Sequence, residues 1–357
     1  MMQSSAFAPG RVELLGNHTD YNQGLVLAAA IDRGLRVSGA RRSDRRIALC
    51  SNSAGEFESD LDNLRPVAEP AWVNYPLGVV RELLEAGVKI GGFSARIEGD
   101  LPSGWGLSSS AALEVATAYF LLRLFSAELS PLAVARLCQR AEHHFVGVHC
   151  GLLDQLTSIC GRAGHAIFFD ARNDEVRPIP FPADLVLIIA ESSARRELTA
   201  GLYNRRRLET RAAAEALGVN SLRDVSPNDL ARSDLPLLLR RRAAHIVGEN
   251  DRVRRALKLL ARSDGRGLGA LMFESHESSR CNFENSTPEL DLLVEIARDV
   301  PGVHGARLTG GGFGGATVTL CESDTAAQAA EAIAQRYAQR SGLTARVFVC
   351  RPANGAH

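Results

Sequence analysis

Residues 100–116 read DLPSGWGLSSSAALEVA. Gly104 and Gly106 carry no Cβ, so the backbone there can approach a bulky anion closely. From Leu107 the run GLSSSAALEVATAYFLLRLF is apolar on nearly every face, which predicts a buried helix. Ser108, Ser109 and Ser110 then stand at its N-terminus, where unpaired amides and the positive end of the dipole favour a phosphate. Serine hydroxyls add donors and an oxygen ligand for Mg²⁺. No lysine follows the glycines, so the GxxxxGK[ST] pattern is absent. Taken alone, the stretch reads either as a phosphate loop or as a serine cap after a glycine turn.

Outward from this loop the chain mixes strands and helices. Upstream, residues 25–31 form an apolar run, residues 35–40 are β-rich and residues 93–97 alternate, giving short strands; residues 73–84 read as helix. Downstream, Ser130 caps a second helix with Pro131 at its first position; it runs through Glu142 and stops near Gly147. A short third helix follows Gly151, and the strand HAIFFDA leads into proline-rich residues 177–182. That stretch is the expected boundary between a domain of residues 1–176 and one of residues 177–357. A strand at 185–190 and a mostly helical segment over 195–271 come next. The end reads strand, glycine loop, strand (316–321), helix (325–340), strand (344–350), an order that compact two-layer α+β units generate.

Two further stretches call for a ligand. TGGGFGGATVTL, residues 309–320, places five glycines within six positions, where a plain turn needs one or two. It suits close packing against a ligand or the first loop, or a bulged hairpin. GRVELLGNHTDYNQG, residues 10–24, runs from a mainly apolar stretch, residues 12–15, into the six hydrogen-bonding side chains of residues 17–22, bracketed by Gly16 and Gly24. Such a row cannot form a core element and holds something polar.

Composition narrows the class. With 357 residues the chain suits two domains or one large one, and 45% apolar with 23% charged residues is ordinary for a globular protein. Lys plus Arg and Asp plus Glu both number 41, so nothing global attracts nucleic acid or an anionic membrane. The arginines at 205–207 and 240–242 read as solvated helix faces. Seven cysteines, odd in number and without CxxC spacing, argue against a disulfide framework and for a reducing cytoplasm. MMQSSAFAPGR holds no apolar signal core, and no window approaches 18 unbroken apolar residues. AEHHFVGVHC gathers His143, His144, His149 and Cys150, but their spacings do not suit zinc. Glu142 beside them reads as a metal-facing acid or a helix-surface charge.

Together, APGRVELLGNHTDYNQG, LPSGWGLSSSAALEVA and TGGGFGGATVTL resemble, in order and spacing, the three motifs of the GHMP small-molecule kinases. The first looks like the galactokinase signature, and CGLLDQLTSICG, residues 150–161, resembles the galactokinase segment holding the catalytic aspartate. AWVNYPLGV and LYNRRR resemble further galactokinase segments, so the likeness spans nearly the whole chain. It implies an α+β GHMP kinase fold: a ribosomal-protein-S5-domain-2-like N-terminal domain, a ferredoxin-like C-terminal domain, and ATP and sugar meeting between them. By the same resemblance Asp154 is the catalytic aspartate and Arg11 its partner, and His18, Asp20, Gly151 and Tyr203 match sugar contacts. Gly104, Gly106, Leu107, Ser108, Ser109 and Ser110 match the phosphate loop, Trp72 and Tyr75 the segment flanking adenine, and Ser110 and Glu142 the Mg²⁺ ligands.

The implied activity is ATP-dependent phosphorylation of a monosaccharide at the anomeric C1 hydroxyl, with galactose as leading substrate. The alternatives are a kinase for galacturonate, arabinose or N-acetylgalactosamine, and a catalytically silent sugar and ATP sensor that binds a regulator. Phosphoryl transfer needs positioning and charge neutralisation. Asp154 is placed to accept the hydroxyl proton, and a nearby Arg11 favours the charged carboxylate. The expected enzyme is a cytoplasmic monomer without nucleic-acid or membrane partners. Three features depart from the family pattern. Asn17 stands where galactokinases usually have Glu near the sugar's C6 hydroxyl, which makes a uronic acid or a pentose less excluded. Trp105 stands where a small residue is common, expected either beside the nucleotide or covering the loop, and little sequence precedes APGR.

Overall fold

A computed structural model describes residues 3–193 and 199–357. The chain runs β1 (Gln3–Leu15), β2 (Leu25–Arg41), β3 (Arg46–Ser51), β4 (Gly55–Asp60), α1 (Asn74–Glu85), β5 (Phe93–Gly99), α2 (Ser109–Leu124), α3 (Pro131–Ala141), α4 (Leu153–Cys160), β6 (His165–Asp170) and β7 (Glu175–Pro180). It continues through β8 (Leu185–Glu191), α5 (Thr199–Ala216), α6 (Pro227–Ala231), α7 (Leu237–Leu260), α8 (Gly265–Ser278), α9 (Pro288–Arg298), β9 (Val303–Leu308), β10 (Ala316–Glu322), α10 (Ala326–Ser341) and β11 (Arg346–Cys350). The helical reading from residue 195 begins outside the described residues.

Strands β1–β7 form one seven-stranded sheet ordered β4-β3-β5-β2-β6-β7, with β1 paired to β2. The runs at 25–31 and 35–40 are one 17-residue strand rather than two. On one side β1 pairs along it; on the other, β6 pairs with residues 25–28 and β5 with residues 35–41. The polar step Asp32-Arg33-Gly34 falls where that neighbour changes. Asp100 Oδ1 accepts from Gly34 N at 3.1 Å there, so the break in hydrophobic pattern is not a turn.

β8–β11 form a four-stranded antiparallel sheet ordered β11-β8-β10-β9, that is fourth, first, third, second, with α9 and α10 against one face. Along β8, Leu185, Leu187 and Ile189 face one core while Val186, Ile188 and Ala190 face another, the two-residue period of a strand buried on both sides. β1 and β2 behave likewise. Ala6, Ala8, Val26 and Ala28 pack under α1–α4, whereas Val12, Leu14, Leu25 and Leu27 join Leu187, Val318 and the apolar faces of α7 and α8. One core therefore lies between the two sheets.

The division drawn at 176/177 passes through β7, which pairs with β6 in the first sheet. Pro178 and Pro180 lie on this edge strand, where a missing N–H costs no ladder bond, so the prolines mark an edge. The chain's last residues also return to the first sheet, Phe7 exchanging backbone hydrogen bonds of 2.7 and 3.0 Å with His357. Ser130 caps α3 by accepting from Ala133 N, with Pro131 in the first turn, and α3 opens into a wide turn over residues 142–146 that Gly147 ends at φ 80°.

Candidate active site

Two residues apart on β1, Arg11 and Glu13 point to one face of the strand. α4 carries Asp154 in its first turn. Arg11 Nε and Nη2 lie 2.8 and 2.7 Å from Asp154 Oδ1, and Arg11 Nη1 donates to Gly106 O at 2.6 Å. Ser108 Oγ donates to Asp154 Oδ2 at 2.5 Å. Arg11, Asp154 and the glycine-serine loop thus share one cluster. Ser108 does not cap α2. Its backbone is left-handed (φ 57°, ψ 46°), which turns the hydroxyl to Asp154 and leaves the first turn of α2 without a side-chain cap. Those open amides, aimed with the helix dipole, suit an anion.

The second glycine loop closes on the first. A Cβ at Gly310 would lie 2.8 Å from Gly106 O, so backbone meets backbone there, and the left-handed turn at φ 74° favours glycine as well. Both loops line a cleft of about 1010 Å³, with Leu113, Trp72 and Tyr75 on one side and His18, Asp20, Gly151 and Tyr203 on another. Leu107, by contrast, is buried at 1% exposure and holds Arg11 N through its carbonyl. Trp105 is not in the cleft either: it stacks on Phe348 of β11 (5.8 Å, 28°) with Arg346 over its ring, and so pins the loop to the second sheet.

The polar row turns on Gly16. Glu249 of α7 accepts from Gly16 N at 2.6 Å and Asn17 N at 2.9 Å through Oε2, and Asn250 Oδ1 accepts from Leu25 N at 2.8 Å. Asn17 is consequently drawn inward. Its amide donates to Glu13 Oε1 and Gly310 O, both at 2.9 Å, and its Oδ1 accepts from Asn285 Nδ2 at 2.9 Å. Both donors expected for a sugar are committed to protein. His18 (φ 60°) is committed too: Nε2–H donates to Gly311 O at 3.0 Å, and Nδ1 accepts from Tyr21 Oη at 2.7 Å. Burial pushes its pKa down to about 4, so it forms the wall as a neutral ring packed against Tyr203 and Phe283.

Asp20 is less tied. Oδ1 accepts from Tyr21 N at 2.9 Å, and Oδ2 meets no donor among the described residues. A Cβ on residue 151 would lie 1.8 Å from that Oδ2, so only glycine admits Asp20 here. On the expectation that Asp20 contacts a sugar, Gly151→Ala should displace Asp20 and lower kcat/KM for that sugar by ~10²-fold with ATP affinity unchanged; a KM series over both expected substrates checks it. Burial, then the charges of Asp154 and Glu13, push the Asp20 pKa up to about 7. On the same expectation, kcat/KM for the sugar at saturating Mg-ATP should rise through about pH 7 as Asp20 ionises, and Asp20→Asn should flatten that step. In stability the sign is opposite: the contribution is present below the ordinary value of 3.8 and lost as pH rises through about 7.

Ser110 and Glu142 both line the cleft, and the Ser110 hydroxyl favours the charged form of the Glu142 carboxylate. Glu142 Oε2 accepts from Cys150 Sγ and Gln155 Nε2, both at 3.1 Å; Gln155 also reaches Glu114, whose Oε1 is buried without a partner. Burial pushes Glu142 up to about 7. The zinc-like cluster does not converge, since His144 pairs with Glu82 and His143 bonds Cys150 O.

Sequence reading passed over Glu13, Glu249, Asn285 and Arg307. A signal existed for Glu13: with Val12 and Leu14 apolar, the strand period puts it beside Arg11. For Arg307, and for the grip of Glu249 on Gly16 and Asn17, none existed, because those partners lie more than 200 residues away in sequence.

Residues 3–41 match the galactokinase galactose-binding signature, residues 74–162 the GHMP kinases N terminal domain and residues 256–339 the GHMP kinases C terminal domain. Galactokinase from Roseiflexus sp. (strain RS-1) is 42% identical over 357 residues, covering 98% of this chain and 91% of the relative. The chain belongs to the galactokinase family of GHMP kinases. Homo sapiens galactokinase is 43% identical over 360 residues, covering 98% of this chain and 90% of its own. The crystal structure of Lactococcus lactis galactokinase complexed with galactose superposes with a TM-score of 0.95 at 34% identity, covering 99% and 95% of the two chains. A mevalonate kinase at 21% identity shares the fold, with a TM-score of 0.72 over 99% of this chain and 100% of the other. In galactokinase terms, the signature at 3–41 is the β1–β2 hairpin with its polar turn, and the N-terminal match carries both the phosphate loop and α4.

Proposed function

We propose that this galactokinase-family chain transfers the γ-phosphate of ATP to the anomeric C1 hydroxyl of galactose, giving galactose 1-phosphate and ADP. The observation that carries the reading is Asp154, held by Arg11 and Ser108 at the mouth of the glycine-serine loop. The open amides of α2 hold the phosphates. Asp154 accepts the hydrogen bond of the C1 hydroxyl, orients it and takes its proton as the oxygen–phosphorus bond forms and the bond to ADP breaks. Arg11 keeps the carboxylate aimed at the loop. Asp20 Oδ2 and Tyr203 face the sugar.

Ser110 and Glu142 fit Mg²⁺. Both offer hard oxygens, and the buried acids Glu114 and Glu142 lie together with little positive charge between them. When bound, the ion neutralises phosphate charge. The same reading has the chain act as a monomer in a reducing cytoplasm, in keeping with seven unpaired cysteines. Among the described residues no helix is long and apolar enough to cross a membrane.

ADP release measured with galactose, galacturonate, arabinose and N-acetylgalactosamine tests the assignment. Galactose should give the highest kcat/KM. ATP binding with no turnover on any of the four would overturn it in favour of a sensor.

A further inference from the structure

Glu13 is the unassigned acid of the cleft. It lines the cavity at 4% exposure and comes from the middle of β1, a strand expected to carry only Arg11 to the site. Its Oε1 accepts from Asn17 Nδ2 and from Arg307 Nη1, each at 2.9 Å. Its Oε2 has no hydrogen-bond partner among the described residues, yet it is not among the side-chain atoms shut away without one, so it opens towards the cavity. Stability does not account for the group. A buried ion pair is weak support for a fold, and here Arg307 Nε and Nη2 are left buried with no partner among the described residues.

Placement assigns the acid a task. Arg11 and Glu13 share a face of β1 and stand roughly 7 Å apart along it. Arg11 holds the carboxylate that faces C1. One strand repeat away, Glu13 reaches the end of the sugar remote from C1. Asn17, which stands where a glutamate is usual, has its amide turned onto Glu13 and both donors engaged. The negative group of this part of the pocket is therefore at position 13.

We propose that Glu13 is a specificity-determining residue, its Oε2 accepting a hydrogen bond from the C4 or C6 hydroxyl and its charge rejecting a carboxylate at C6. This rests on the sugar-kinase reading above and reverses the expectation that Asn17 opens the pocket to uronic acids. A site built to bond a hydroxyl discriminates strongly against the analogue lacking it.

The test compares kcat/KM for galactose, 4-deoxygalactose, 6-deoxygalactose and galacturonate in the unaltered chain and in Glu13→Gln. The unaltered chain should prefer galactose over galacturonate by ~10²-fold or more, and over one of the two deoxy sugars by ~10²-fold. In Glu13→Gln both ratios should shrink at least ~10-fold while KM for ATP holds. A purely structural role would lower all four sugars together. Should Glu13→Gln not fold, the double variant Glu13→Asn/Asn17→Glu keeps one carboxylate against Arg307 and should retain the rejection of galacturonate. Galacturonate used as well as galactose by the unaltered chain, or unchanged ratios in folded Glu13→Gln, would overturn the proposal. Failure of the sugar-kinase reading is distinct: the unaltered chain would then not turn over galactose at all.

Discussion

Asp154→Ala is expected to lower kcat by ~10²–10⁴-fold while galactose binding, read by titration calorimetry, persists. The carboxylate has two attachments, Arg11 on Oδ1 and Ser108 on Oδ2, and both survive as partners for water in the variant. Asp20 and Tyr203, which line the cleft and are proposed to face the sugar, lie on other elements. What disappears is the acceptor that the proposed function aims at the C1 hydroxyl. Asp154→Asn separates its two duties. The amide oxygen can keep the Arg11 bond and the orientation, but it cannot take a proton. If Asn retains most of the rate, orientation dominates; if Asn is as slow as Ala, proton transfer does. Normal turnover in Asp154→Ala would remove this residue from the mechanism.

Glu249→Ala should cost about 3–5 kcal/mol of stability, the range for removing one partner of a buried ion pair. Glu249 is fully buried, and its Oε1 accepts from Arg252 Nε at 2.7 Å while Oε2 holds the amides of Gly16 and Asn17. Alanine would leave three buried donors unpaired and a guanidinium only 11% exposed without its counter-charge. Urea unfolding at pH 7 measures the loss, and KM for the sugar should rise because the polar turn is freed. Burial pushes the Glu249 carboxyl up, but Arg252, His245 and Arg307 outweigh it, and the net shift is downward from 4.5. Its contribution is therefore present above the ordinary carboxylate value and lost as pH falls through the lowered one. The gap between the parent and Glu249→Ala should shrink in acid. A gap that is the same at pH 7 and in acid would mean the ion pair is not its source.

Local chemistry made much of the fold readable. Ser130-Pro131 starts α3, the apolar run after Leu107 is α2, and the strand and helix at the C-terminal end lie where the pattern puts them. Reading failed where a distant partner decides the conformation. Asp32-Arg33-Gly34 looks like a turn until Asp100 supplies its hydrogen bonds. Residues 177–182 look like a domain boundary until β6 pairs with residues 177–180. Position 17 looks like a sugar contact until Glu249, 232 residues on, turns it inward. Arg11 and Asp154, 143 residues apart, were paired by resemblance and not by spacing. The cap reading of Ser108 was sound for its residue type, and its left-handed backbone defeats it.

The core between the sheets has a consequence for how the molecule comes apart. Val12, Leu14 and Leu25 bury themselves against Leu187, Val318 and Met272, and Arg307 of β9 reaches Glu13 of β1 across the same junction. Neither lobe has an inner surface it can show to water. Cutting the polypeptide between β7 and β8 would expose an oily wall and a stranded charge on each fragment, so the lobes melt together, and heat or denaturant dismantles the whole in one cooperative step.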